Sequence, residues 1–273
     1  PTAYTMNPEY ITLEKKVGET PLECLKKWHA TEPTLAGVPL AYAGRLDPMA
    51  SGRLLVLIGD TCKNQESFHN LDKAYTCEIL FGVSSDSGDV LGIISEGDVR
   101  TPDVSAVAAA MASTTGVVTL PYPIFSSRTV QGKPLHTWTL EGRLAEISIP
   151  TKTSEIYSLT LREHRTDTRE NITAYARTKI ASLPRVTDPR KALGNDFRRP
   201  AVLESWENFL MSGQRNDEFL IVTFHCIASS GTYMRSLAEA IAAKVGGKGL
   251  ALSIHRDTIG IYDKATNQWL KEF

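Results

Sequence analysis

No run of eighteen or more apolar residues occurs in the chain, which excludes a helical membrane span. The N-terminus lacks the basic-then-apolar layout of a secretory signal. Cysteine is scarce: Cys24, Cys62, Cys77 and Cys226 lie far apart with no CxxC pair, and only His225 stands beside one of them. That spacing argues against a structural zinc site and for reduced thiols, so no metal is expected and the expected compartment is the cytoplasm. Net charge is nearly absent too, at -1, so any affinity for nucleic acid must come from a local basic patch. There is no internal repeat, no low-complexity tail and no heptad seam; a monomer is expected.

What is present suits one large domain. With 273 residues and 42% hydrophobic content the chain can bury a sizeable core. Thr20-Pro21-Leu22-Glu23 predicts a helix start, with Thr as cap, Pro at the first position and Glu three residues later. Leu54 to Ile58, Tyr75 to Phe81, Ile156 to Leu161 and Phe219 to Cys226 read as strands. Thr101-Pro102-Asp103 caps a second helix, with Val104, Val107, Ala108 and Met111 expected on one face. Pro121 to Phe125 is too rich in proline for a central strand and reads as an exposed loop. Met234, Leu237, Ala238, Ile241 and Val245 repeat at helical spacing, and Gly246-Gly247 closes that helix. Strands and helices alternate without a βαβ rhythm. The expected class is therefore α+β, with a mixed or mostly antiparallel central sheet flanked by helices and loops.

Two stretches bear on chemistry. Arg162 to Arg199 holds ten Lys/Arg against five acids, either a solvated face or an RNA-contacting insertion. Asp47-Pro48 is a common way to begin a helix, and on the dipeptide alone the cap reading is favoured. Gly44 and Gly52 around it permit close approach of a ligand or another chain, and Arg45 sets a cation beside the carboxylate.

The segment Gly44-Arg45-Leu46-Asp47-Pro48-Met49-Ala50-Ser51-Gly52 resembles the catalytic motif of pseudouridine synthases, and its Asp-Pro-x-Ala-x-Gly part is similar to the TruB family, the tRNA pseudouridine-55 synthases and their relatives. Further matches follow in the family's order. Lys15, Gly18 and Thr20 fit an N-terminal pattern, Asp72-Lys73-Ala74-Tyr75 a Lys-x-Tyr motif, and Ser85 to Asp89 the stretch after it. Pro123 to Ser127 with Gly132-Lys133 resembles an RNA-gripping thumb loop, near residues 121–150, and Ser230 to Leu237 is the closest match. Only the segment from about 166 to 216 stands outside the resemblance.

The resemblance implies the pseudouridine synthase fold in a single catalytic domain over residues 1–273, with a family-atypical basic insertion near 166–216 and no C-terminal RNA-binding domain. It implies Asp47 as the nucleophile or base that starts glycosidic cleavage, Arg235 as its ionic partner and Tyr75 stacked on the flipped base. Tyr42, Gly44, Arg45, Lys73, Ile254 and Arg256 would bind the target nucleotide, and Lys15, Arg128 and Lys133 the RNA around it. Without the motif, Arg235 reads as a surface cation, Tyr75 as an ordinary half-buried aromatic and Lys73 as a phosphate contact or a solvated side chain. No cofactor is implied. The chain departs from the family where Tyr42 replaces a histidine, Arg45 a small residue, Lys16 a proline and Pro21 a serine, and where Thr129 stands in place of a thumb lysine. The implied activity is isomerisation of the tRNA T-loop uridine, position 55. The alternatives are the same chemistry on another RNA stem-loop, and an RNA-binding or folding module whose catalysis is dispensable.

Overall fold

The structure, a computed structural model, describes residues 9–186 and 196–273. Strand β1 (Tyr10–Lys15) leads into α1 (Pro21–His29), then β2 (Leu40–Ala43), β3 (Ser51–Ile58), a 3-10 stretch over Gly59–Phe68, and β4 (Asp72–Phe81). A small hairpin, β5 (Val83–Ser85) and β6 (Ile94–Glu96), precedes α2 (Val104–Ala112) and β7 (Gly116–Pro121). The excursion that follows carries β8 (Thr129–Val130), β9 (Lys133–Pro134) and α3 (Leu135–Leu140). After it come β10 (Thr151–Thr168), α4 (Arg169–Ser182), α5 (Arg199–Met211), β11 (Glu218–Ala228), α6 (Met234–Lys244), β12 (Gly249–Asp263) and β13 (Gln268–Glu272).

A nine-stranded sheet organises these elements in the order β1-β3-β12-β4-β11-β10-β7, with β2 added on β3 and β13 on β12. Every pairing in it is antiparallel except the short β3–β12 contact, so the expected mixed, mostly antiparallel sheet is what forms. That contact explains Gly52. At φ +108° it faces Arg256 so closely that a Cβ would lie 2.3 Å from the Arg256 carbonyl oxygen. Side chains paired across antiparallel strands share a face. Tyr75 lies opposite both Cys226 and Arg256, and Cys77 lies opposite Ile254, so Tyr75, Ile254 and Arg256 stand on one face at the middle of the sheet.

Several local expectations hold. Thr20 and Glu23 form the reciprocal capping box of α1, the Thr20 N–H donating to Glu23 at 2.8 Å. Asp103 caps α2 by accepting from the Ser105 N–H at 2.7 Å, although Ala110 rather than Ala108 joins Val107 and Met111 in the core. Pro121 ends a strand instead of opening a loop; β7 is at the edge of the sheet, where a missing N–H costs no ladder bond.

Asp47 caps no helix. Its carbonyl accepts from the Ala50 N–H at 3.0 Å, closing a turn from which β3 departs directly.

The basic segment is packed into the domain. It supplies the end of β10 and the helices α4 and α5, whose Ile172, Ala176, Ile180, Val202, Trp206 and Phe209 lie in the main core. Its cations are largely spoken for within the protein: Arg165 pairs with Glu78 at 2.6 Å, Arg177 with Glu207 at 2.7 Å, Arg198 with Asp86 at 2.6 Å and Arg199 with Asp196 at 2.7 Å. Lys179 is buried and donates to the Leu252 carbonyl at 2.8 Å. Burial is the first cause lowering its pKa, to about 8. Arg190 and Lys191 lie outside the described residues.

Candidate active site

The turn between β2 and β3, the first half of β4, the start of α6 and the middle of β12 enclose a cleft of about 660 Å³. Nine residues singled out from sequence line it together: Tyr42, Gly44, Arg45, Asp47, Lys73, Tyr75, Arg235, Ile254 and Arg256. At its centre the Asp47 Oδ2 lies 2.9 Å from the Arg235 Nε. The two groups differ in setting: the Asp47 side chain is 42% exposed to the cleft, whereas that of Arg235 is 5% exposed beneath it. The oxygen sits off the axis of the Nε–H bond, so the pair is held by charge rather than by an aligned hydrogen bond.

Arg235 is fixed from behind. One terminal nitrogen donates to the Ser87 carbonyl at 2.8 Å, and both lie 3.4–3.5 Å from the Phe125 carbonyl. Asp89 stands 3.7 Å from its Nε; sequence reading gave this buried carboxylate no role, and the Ser-Asp-Ser-Gly-Asp turn was its only signal. Burial raises the Asp89 carboxyl, opposed by Arg235, while Ser87 Oγ and the Leu91 N–H donate to it at 2.8 and 2.9 Å. For Arg235, burial alone would lower the pKa, but the carboxylates of Asp47 and Asp89 outweigh it and raise it.

Arg256 holds the Asp47 turn. It is 1% exposed and donates to the carbonyls of Arg53 at 2.8 Å, Arg45 at 3.2 Å and Gly44 at 3.3 Å, so it is a positioning residue for the loop. Burial lowers its pKa, offset in part by the Tyr75 phenol, and burial raises that phenol in turn, leaving Tyr75 a neutral ring at the cleft wall. Ile254, 6% exposed, provides the apolar part of the same wall.

Two cationic residues, Lys73 and Lys15, need correction. Lys73 is neither solvated nor presented to a phosphate: it is 7% exposed, donates to the Leu71 and His69 carbonyls, and burial lowers its pKa to about 8. Lys15 is fully buried, its ammonium donating to the Ala50 carbonyl at 2.6 Å and the Lys16 carbonyl at 3.0 Å. It braces the Asp47 turn and cannot touch RNA, because no part of it reaches solvent. Lys15→Met should therefore leave the slope of log affinity against log salt unchanged while lowering the melting temperature. Loss of about one charge from that slope would restore the phosphate-contact reading. Lys133 lies on the thumb excursion but pairs with Glu141 at 2.6 Å and covers the Trp138 ring at 4.5 Å. Arg128 is exposed there, and Arg45 bridges the mouth of the cleft by donating to Ser127 Oγ at 2.9 Å.

Among the described residues no group of His, Cys, Asp and Glu side chains could hold a metal ion. What remains is an oriented carboxylate facing a partly apolar cleft, suited to nucleophilic or proton-transfer work on a bound substrate.

The chain's fold has a solved counterpart. It aligns with a chain of the solved Cbf5–Nop10–Gar1 complex at a TM-score of 0.52 and 16% identity, covering 92% of this chain and 48% of that one. In sequence, tRNA pseudouridine synthase B of Caldicellulosiruptor saccharolyticus is 24% identical over 253 residues, 93% of this chain and 68% of that protein. The tRNA pseudouridine synthase 4 of Saccharomyces cerevisiae is 28% identical over 232 residues, 75% of this chain and 56% of that protein. Residues 37–180, just over half of the chain, match the family described as TruB family pseudouridylate synthase (N terminal domain). The chain belongs to the TruB family of pseudouridylate synthases.

Proposed function

We propose that the chain converts one extruded uridine of a folded RNA to pseudouridine, and that its substrate is the T-loop uridine, position 55, of tRNA. The observation that carries this reading is the Asp47 carboxylate, 2.9 Å from a buried guanidinium and open to a cleft walled by Tyr75 and Ile254. Isomerisation breaks the C1′–N1 bond, turns the uracil and forms a C1′–C5 bond. The C5 proton leaves and N1 gains one, so atoms and electrons balance without a second substrate.

Each demand of that sequence has a residue to meet it. Asp47 acts as nucleophile or base where the glycosidic bond breaks, and Arg235 fixes its direction. Tyr75 and Ile254 hold the detached ring while it turns, and the buried floor limits access of water that would capture the sugar carbon. A cleft of about 660 Å³ takes a nucleotide and not a duplex, so the uridine must leave its stack, at a cost of roughly a few kcal/mol. Stacking on an aromatic offsets part of that cost. The names of the two relatives favour tRNA among RNA substrates.

Incubation with an unmodified tRNA transcript, followed by chemical mapping of pseudouridine, tests both parts. Product at the T-loop uridine with the wild type, and none with Asp47→Ala, is expected. Product at a different uridine would keep the chemistry and replace the substrate; no product anywhere would overturn both.

A further inference from the structure

A second cleft, of about 510 Å³, also reaches Asp47 and Arg235, and its wall includes Phe125, Pro184 and Arg198. Arg198 belongs to the basic segment and lies outside residues 37–180, which match the family. The two carbonyls that hold the Arg235 guanidinium come from elsewhere in the chain. Ser87 is in the turn between β5 and β6, and Phe125 is at the root of the thumb excursion.

The Arg198 guanidinium reaches both of these elements at once. Its terminal nitrogens donate to the two oxygens of Asp86, the residue before Ser87, at 2.6 and 3.1 Å. Its carbon lies over the Phe125 ring, 4.1 Å from the centroid. Asp86 is already tied into the β5–β6 hairpin by Ile93. Its N–H donates to the Ile93 carbonyl at 3.1 Å, and its Oδ1 accepts from the Ile93 N–H at 2.9 Å. The hairpin therefore closes without Arg198, and what Arg198 adds is the link to Phe125. The support behind it is firm. Arg198 enters α5 at φ +60°, a backbone that residues other than glycine adopt only where the surroundings impose it. α5 is fastened to the same hairpin, Trp206 Nε1 donating to the Val90 carbonyl at 3.1 Å and the Ile94 N–H to Ser205 Oγ at 3.3 Å.

We propose that Arg198 is a positioning residue for the reaction: by clamping Asp86 and Phe125 together it sets the two carbonyls that aim Arg235 at Asp47. The proposal rests on the pseudouridine reading above, and its test keeps the two separable. Lysine keeps the charge but cannot supply a planar fork and a stacking face together. Arg198→Lys should therefore lower the single-turnover rate roughly tenfold, as small misplacements of a reacting pair do, with RNA affinity kept. In a Phe125→Leu background the same change should cost little more, because the link is already gone. Arg177→Met, which removes the α4–α5 ion pair to Glu207, should leave the rate as it was. In protein labelled with 15N-arginine, the Arg235 Nε–H resonance, assigned by its loss in Arg235→Lys, should move in Arg198→Lys and stay in place in Arg177→Met. A wild-type rate or an unmoved Arg235 resonance in Arg198→Lys would overturn the proposal and leave the reaction standing. Equal losses in Arg198→Lys and Arg177→Met would also overturn it, reducing Arg198 to a stabilising ion pair. Should the wild type form no pseudouridine, the function falls, and the resonance alone still decides whether Arg198 aims Arg235.

Discussion

Asp47→Asn is expected to reduce pseudouridine formation by roughly a thousandfold or more, the scale on which enzymes lose activity when the reacting side chain goes. Asparagine is isosteric and can still occupy the space beside Arg235, so the cleft should keep its shape and the RNA should still bind. The two results together are informative. A large loss of turnover with unchanged affinity assigns the chemistry to the carboxylate; a parallel loss of both would mean that the Asp47–Arg235 pair chiefly builds the binding site. Retention of near-normal turnover would remove Asp47 from the reaction and favour an RNA-folding role. A rapid-mixing assay under single-turnover conditions reads the chemical step directly.

The second large effect concerns stability and lies far from the cleft. Arg169, at the start of α4, is 2% exposed in its side chain and serves as a hub. It donates to both oxygens of Glu96 at 2.6 and 2.9 Å, to Asp217 at 3.0 Å and to the Phe209 carbonyl at 2.7 Å, and its guanidinium lies 4.3 Å from the Phe209 ring centroid. These contacts tie α4, α5 and the ends of β6 and β11 together. Arg169→Met removes the charge while leaving its partners in place, and breaking a buried pair in that one-sided way costs about 3–5 kcal/mol. The lower end is expected, since Glu96 and Asp217 are 29% and 22% exposed and water can reach them.

The pH dependence of this difference has a definite sign. Its hydrogen bonds with Arg169 are the first cause holding the Glu96 pKa below the usual range. The stabilisation is therefore complete above the unfolded-state value near 4.3 and is lost as pH falls through the lower folded-state value. The stability gap between wild type and Arg169→Met, measured by urea unfolding, should be full at pH 7 and narrow below about pH 4. A gap that stays constant or widens on acidification would show that packing against Phe209, not charge, sets the cost.

How much of this was legible in the sequence depended on the range of the interaction involved. The α1 cap was readable because Thr20 and Glu23 satisfy each other within one turn. The convergence of Asp47, Tyr75 and Arg235 could not be read from spacing; it came through resemblance, and the cleft brings all three together. Asp47-Pro48 taken alone favours a helix cap, but Arg256 and Lys15 grip the segment from strands far away in the chain and hold it as a turn. Lys15 and Lys73 misled for the same reason. A sequence displays an ammonium group but not the carbonyls that will bury it.

In the basic segment the charges drew attention away from the packing. Ile172, Ala176 and Ile180 repeat at a helical interval, as do Val202, Trp206 and Phe209, so the evidence for α4 and α5 was present beneath the count of charges. Strand β12 escaped notice because its exposed-face residues His255 and Asp257 interrupt the apolar pattern that marks a buried strand.

The most direct test follows the proton at C5 of the target uridine. In tRNA carrying tritium at that carbon, formation of the C1′–C5 bond must expel the label to water. Wild-type protein should release one equivalent per tRNA, and Asp47→Asn essentially none. RNA that binds tightly yet keeps its tritium with the wild-type protein would contradict the account.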